Sequence, residues 1–68
     1  MLHAAVYELF KSYFPSYAEN TRAWFQNGRN SIKIRNNNGQ EYVFTYYGEK
    51  GWCFETVNHY IMRLKGEK

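Results

Sequence analysis

The stretch IKIRNNNGQEYVFTYYGEKGWCFE, residues 32–55, decides the fold because apolar or aromatic side chains occupy nearly every second position in it. Such alternation is typical of β-strands, in which successive side chains point to opposite faces of the sheet. Two four-residue turn sequences that end in glycine, residues 36–39 and 48–51, divide the stretch. The pattern predicts three antiparallel strands over residues 31–35, 41–47 and 52–55.

The length of the first turn determines which side chains share a face, because a shift of one residue in pairing moves every side chain to the other face. A two-residue turn would place Ile34 opposite Val43. The aromatic residues of the second strand would then lie beside the cations of the first, on an open face that could stack bases. A three-residue loop would place Ile34 opposite Tyr42 and turn the aromatic residues into the core.

The second turn favours the three-residue loop, because it has the same length and the same final glycine as the first. If both turns follow one rule, Tyr46 lies opposite Phe54, and the apolar side chains of all three strands fall on one face. A foldable sequence shows this kind of agreement between its parts. We therefore predict a core that contains Ile32, Ile34, Tyr42, Phe44, Tyr46, Trp52 and Phe54.

Helical spacing of apolar residues precedes the strands. Residues 2–14 have the pattern of an amphipathic helix, and Pro15 ends it because the residue before a proline is pushed out of the helical conformation. Ser16 and Glu19 match a capping box, in which each side chain accepts a hydrogen bond from the backbone of the other residue. They predict a second helix that continues to Gly28.

A third helix is predicted after the strands, with Thr56 as its N-terminal cap. Its apolar residues, Val57, Tyr60, Ile61 and Leu64, recur at i, i+3, i+4 and i+7. The predicted fold class is therefore α+β, in the order α-α-β-β-β-α, with a three-stranded antiparallel meander packed on helices. The chain length predicts a single small domain over residues 1–68.

The composition is that of a small domain built around aromatic side chains, which make up 21% of the chain. Each of them can bury about 150–250 Å² of surface, which compensates for the small core of so short a chain. The single cysteine, Cys53, cannot form an internal disulfide, and this is typical of a reducing compartment. No apolar run approaches the length of a membrane span. We expect a cytoplasmic protein without membrane association.

The positive charges of the chain cluster in its middle. The formal net charge is +3, and no acidic residue interrupts the segment of residues 22–35. Its arginines and lysine, beside a polar bend, could contact phosphate groups, and an exposed tyrosine could add base stacking. A solvated strand surface would carry the same charges. Our first hypothesis is weak nucleic-acid binding through Arg22, Arg29, Lys33, Arg35 and Tyr47.

The second hypothesis is a protein-interaction module or a homodimer. If all three helices cover the core side of the sheet, the other face is open and carries Val43, Thr45 and Tyr47. The first predicted strand, residues 31–35, would also be an exposed edge that can pair with another chain.

Patterns typical of enzymes and metal sites are absent from the sequence. The chain has no aspartate, and its six glutamates are scattered. His3, Cys53 and His59 lack the paired spacing of a zinc site, and no glycine-rich phosphate-binding loop is present. We therefore expect no catalytic residue, metal, cofactor or small-molecule substrate.

The segments WFQNGRNSIKIR and FTYYGEKGWCFETV, residues 24–35 and 44–57, resemble those of short uncharacterised bacterial proteins of the kind carried by prophages and mobile elements. The resemblance covers the later part of the chain. It implies no particular activity, ligand or site residue.

Overall fold

The computed structural model, which describes residues 2–66, contains a four-stranded antiparallel sheet with helices on both sides. Its elements are α1 (His3–Tyr13), α2 (Pro15–Glu19), β1 (Thr21–Gly28), β2 (Ser31–Asn36), β3 (Glu41–Tyr46), β4 (Trp52–Thr56) and α3 (Val57–Gly66). Each strand pairs with its neighbour in sequence, so the sheet is a meander. The α+β class is confirmed, whereas the prediction of three strands is wrong. The ends of the predicted domain, residues 1, 67 and 68, lie outside the described part of the chain.

The additional strand, β1, replaces most of the predicted second helix. That helix ends at Glu19 after a single turn, and Pro15 occupies its first position, where the missing N–H of proline is tolerated. The predicted capping role of Ser16 is wrong, because the residue before the helix is Phe14. Pairing of β1 with β2 satisfies backbone groups of β2 that would otherwise form an open edge, and this long-range gain outweighs the local helical pattern.

The register of the β2–β3 hairpin is the one predicted from a three-residue loop. Ile34 lies opposite Tyr42, and Ile32 lies opposite Phe44. Gly39 has a φ of 85°, a left-handed conformation that glycine adopts without steric strain. The aromatic residues of β3 therefore share a face with the isoleucines of β2.

The β3–β4 hairpin differs from the prediction by two residues. Tyr46 pairs with Trp52, and Phe54 pairs with Phe44. The loop covers residues 47–51, of which Gly48–Lys50 form a turn of 3₁₀-helix. Because side chains alternate with a period of two, this shift changes the pairing partners and leaves each side chain on its predicted face.

The core lies between α1 and one face of the sheet, called here the inner face. Its fully buried side chains are Val6, Phe10, Ile32, Ile34 and Phe44. All seven predicted core residues lie on the inner face. Four of them are less buried than predicted, since Tyr42, Tyr46 and Phe54 are half-buried and Trp52 is exposed.

The opposite, outer face is covered in part by α3, which contacts β3 and β4. Val43 points to this face and is only 1% exposed. The apolar stripe of α3 contributes no fully buried side chain. An arrangement with all three helices on the core side is therefore wrong, and only the β1–β2 half of the outer face stays open.

Glu55, on the outer face of β4, holds α3 against the sheet. The Arg63 guanidinium donates hydrogen bonds to both oxygens of its carboxylate, at 3.2 and 2.7 Å, and His59 Nδ1 lies 3.0 Å from one of them. These hydrogen bonds, that of Arg63 above all, lower the pKa of Glu55 although burial opposes the shift. Thr56 Oγ1 accepts a hydrogen bond from the His59 N–H, as the predicted cap requires.

We expect Glu55→Gln to destabilise the fold, because the Arg63 guanidinium loses its carboxylate partner. The expected loss in the free energy of unfolding at neutral pH is about 1–2 kcal/mol, at the low end for a charged hydrogen bond since the guanidinium is partly exposed. Urea unfolding followed by circular dichroism measures it.

The stability difference between wild type and Glu55→Gln should also depend on pH. The folded-state pKa of Glu55 is lowered, so its stabilisation is fully present above the ordinary glutamate pKa and is lost as the pH falls through the lowered value. The difference between wild type and variant should therefore shrink on acidification. Glu41→Gln, at a more exposed ion pair, is the matched control and should cost less. An equal loss for both variants would contradict the role of Glu55.

Candidate nucleic-acid interface

The open half of the outer face carries a phenylalanine whose ring contacts two cations. Phe25 of β1 pairs with Lys33 of β2, and Arg35 lies two residues farther along β2. The Phe25 side chain is 41% exposed. Lys33 Nζ lies 5.7 Å and Arg35 Cζ lies 5.3 Å from the centre of its ring, within the range in which a ring attracts a cation. These three residues are called the basic surface.

The alternation of β1 explains why Phe25 is exposed. The preceding residue, Trp24, points to the inner face, where its ring stacks on Tyr7 with centroids 5.2 Å apart. The next side chain must then point to the outer face. Packing of Trp24 against α1 therefore fixes the orientation of Phe25.

Arg35 is held in place by Glu41, its neighbour across the β2–β3 pair. The guanidinium Nη2 and Nε lie 2.7 and 2.9 Å from Glu41 Oε2. This hydrogen bonding is the main cause of the lowered pKa of Glu41. Lys33 forms no salt bridge with any residue from 2 to 66, so its charge is the less compensated of the two.

The structure divides the five residues of the first hypothesis into three groups. Lys33 and Arg35 lie together at the basic surface. Arg22 and Arg29 are exposed near the two ends of β1, the first at an irregularity in the β1–β2 pairing and the second in the tight turn between these strands. Tyr47 lies after β3 and is not part of the basic surface.

The residues of the second hypothesis are largely inaccessible. Val43 is covered, and Thr45 is half-buried with its hydroxyl 2.9 Å from that of Ser31. Only Tyr47 of this set is well exposed. The predicted edge is also wrong, because β2 lies between β1 and β3, and the edges of the sheet are β1 and β4.

The sequence does not point to Phe25, because within a helix that continues to Gly28 the side chains of Trp24 and Phe25 would lie on one side. One signal in the sequence points to the correct structure. Asn27 and Gly28 are followed by two polar residues and then by the alternating strand, an arrangement as typical of a hairpin as of a helix end. In the structure Gly28 pairs with Ser31 across this turn.

The described part of the chain shows no group of three side chains that could hold a metal ion. Burial, reinforced by the hydrogen bond to Glu55, raises the pKa of the Cys53 thiol. A thiol that stays protonated is a weak nucleophile. Within residues 2–66, no helix has the length and apolar character needed to span a membrane.

No protein-family model, curated protein or solved structure matches this chain.

Proposed function

We propose that this chain is a non-catalytic module that binds single-stranded nucleic acid weakly through the basic surface. The supporting observation is the exposed Phe25 ring with Lys33 and Arg35 beside it. An aromatic side chain on a sheet provides a stacking surface for a base, and neighbouring cations contact the phosphates on either side of it. Arg22 and Arg29 extend the positive charge toward both ends of β1.

The proposed ligand is single-stranded because stacking requires an accessible base face. In a duplex both faces of each base are covered by neighbouring bases, whereas unpaired bases can lie against protein rings. The planar guanidinium of Arg35 adds a second stacking surface. Its ion pair with Glu41 fixes the orientation of that plane.

Affinity is expected to be modest and sensitive to salt. Phosphate contacts release counterions, so the logarithm of the association constant falls linearly with the logarithm of salt concentration. Three or four contacts with a single strand predict a slope of about −2 to −3.

Removal of the two cations tests the electrostatic part of the proposal. We expect Lys33→Gln with Arg35→Gln to reduce the magnitude of the salt slope by about 1–2 and to weaken binding most at low salt. Fluorescence anisotropy with a labelled thymidine oligonucleotide of about 15 nucleotides measures both quantities. The control, Lys11→Gln with Lys50→Gln, removes the same charge from α1 and from the β3–β4 turn. Equal effects in both double variants would show that net charge, and not the basic surface, drives binding.

Removal of the ring tests the stacking part. Phe25→Leu keeps an apolar side chain but removes the π-face, and we expect the dissociation constant to rise by about 5- to 100-fold, which corresponds to the loss of one stacked base. Tyr47→Leu is the matched control, since Tyr47 is exposed to a similar degree but lies outside the basic surface. A loss for Tyr47→Leu equal to that for Phe25→Leu would contradict the proposed site.

The alternative, a protein-interaction module or homodimer, has one observation in its favour. β1 is an edge strand of eight residues, and an edge presents unpaired backbone groups to a partner strand. Self-association through this edge would give a mass that rises with protein concentration in light scattering. The Lys33 and Arg35 double variant should leave that mass unchanged.

A further inference from the structure

A concave site lies at the end of the sheet, between α2 and the β2–β3 turn. It is a cleft of about 230 Å³ with no charged side chain in its lining. Asn20, Asn36, Asn38 and Gln40 supply carboxamides, and Tyr17 and Tyr42 supply rings. We call it the amide cleft.

The backbone fixes the orientation of one of these amides. Asn36 Oδ1 accepts hydrogen bonds from the backbone N–H groups of Asn38 and Gln40, each at 2.9 Å. Because this oxygen is identified by two donors, the other atom of the amide must be nitrogen, and it donates to Gln40 Oε1 at 3.1 Å. Tyr42 also donates to Gln40 Oε1, at 3.2 Å.

The side-chain NH₂ group of Gln40 is therefore available as a hydrogen-bond donor. Its oxygen accepts two hydrogen bonds, while its Nε2 donates to no residue in the described range of 2–66. The side-chain oxygen of Asn20 is also occupied, because Asn20 Oδ1 accepts a hydrogen bond from Asn37 Nδ2 at 3.0 Å. The amide cleft thus carries N–H groups of fixed position and no fixed charge.

Tyr17 adds an aromatic surface. Its ring meets those of Tyr42 and Phe54 edge-on, with centroids 5.8 and 5.2 Å apart, and these contacts hold it in place. The side chain is nevertheless 46% exposed. The exposed part of this ring lines the same cleft as the amide groups.

We infer that the amide cleft binds one unpaired base of the strand that crosses the basic surface, with a preference for uracil or thymine. The inference rests on the proposed function. Arg35 of the basic surface and Asn36 of the cleft are consecutive residues at the end of β2, but their side chains point to opposite faces of the sheet. The bound nucleic acid therefore reaches the cleft by passing around the end of the sheet at the β2–β3 turn. A base is planar and neutral, as the cleft requires, and its edge can be read by hydrogen bonds from amides. Uracil and thymine present two carbonyl acceptors to N–H donors.

An NMR titration of the ¹⁵N-labelled protein with uridine tests the inference, with adenosine as the comparison. A nucleoside has no phosphate, so its binding does not depend on the cations of the basic surface. We expect uridine to shift the side-chain NH₂ signals of Gln40 and Asn20, with a dissociation constant on the order of 1 mM. Adenosine should shift them less.

Gln40→Glu sharpens this test. A carboxylate still accepts from Asn36 and Tyr42 but has no N–H to donate, so uridine should bind about 2- to 10-fold more weakly. Uridine carries no net charge, so the added charge acts on it only through its dipoles, and repulsion between the carboxylate and the uracil carbonyls weakens binding in the same direction. If the variant does not fold, the comparison of uridine with adenosine on the wild type decides.

Two results would overturn the inference. One is the absence of shifts in the cleft with uridine. The other is an equal effect of glucose on the same signals, which would indicate a sugar site. Failure of the proposed function looks different, since oligonucleotides would then bind without dependence on Lys33 and Arg35, or not at all, whatever uridine does.

Discussion

The pairing of Ile34 with Tyr42 is the constraint on which the rest of the structure depends. It follows from a three-residue loop closed by glycine, and it decides which face of the sheet is apolar. With this register, the isoleucines and aromatic residues meet Val6 and Phe10 of α1 in the core. The same register turns the cations of β2 outward. A shift of one residue would bury Lys33 and expose both isoleucines, so the core and the basic surface are two results of a single pairing.

One buried carboxylate determines which part of the outer face is covered by a helix. Glu55 binds Arg63 and thereby places α3 over β3 and β4, where Val43 is covered. β1 and β2 remain uncovered, and their outward side chains include Phe25 and Lys33. The extent of the candidate interface is thus set by an interaction on the other half of the sheet, between residues that take no part in it.

The sequence predicts the strands from 31 onward well, because their alternation and their glycine turns are local signals of a single structure. It fails for β1, since residues 21–28 fit a helix by spacing and a strand by composition, and only pairing with β2 decides between them. It predicts the helix α3 correctly but not the position of this helix, because an apolar stripe shows that a helix is covered on one side but not by which face of a sheet. The sequence therefore points to Lys33 and Arg35 as candidate site residues but not to Phe25. The donor of Gln40 depends on hydrogen bonds to Asn36 and Tyr42 that no spacing rule predicts.

The meander has a consequence for the speed of folding. Every strand pairs only with its neighbour in the chain, through turns of two to five residues in this sheet. The loops that must close are short, and the entropy lost on closing them is small. Folds dominated by contacts between nearby residues cross their folding barrier faster than folds that join distant segments. Successive hairpins can therefore assemble this sheet one strand at a time, with α1 completing the core once the inner face has formed.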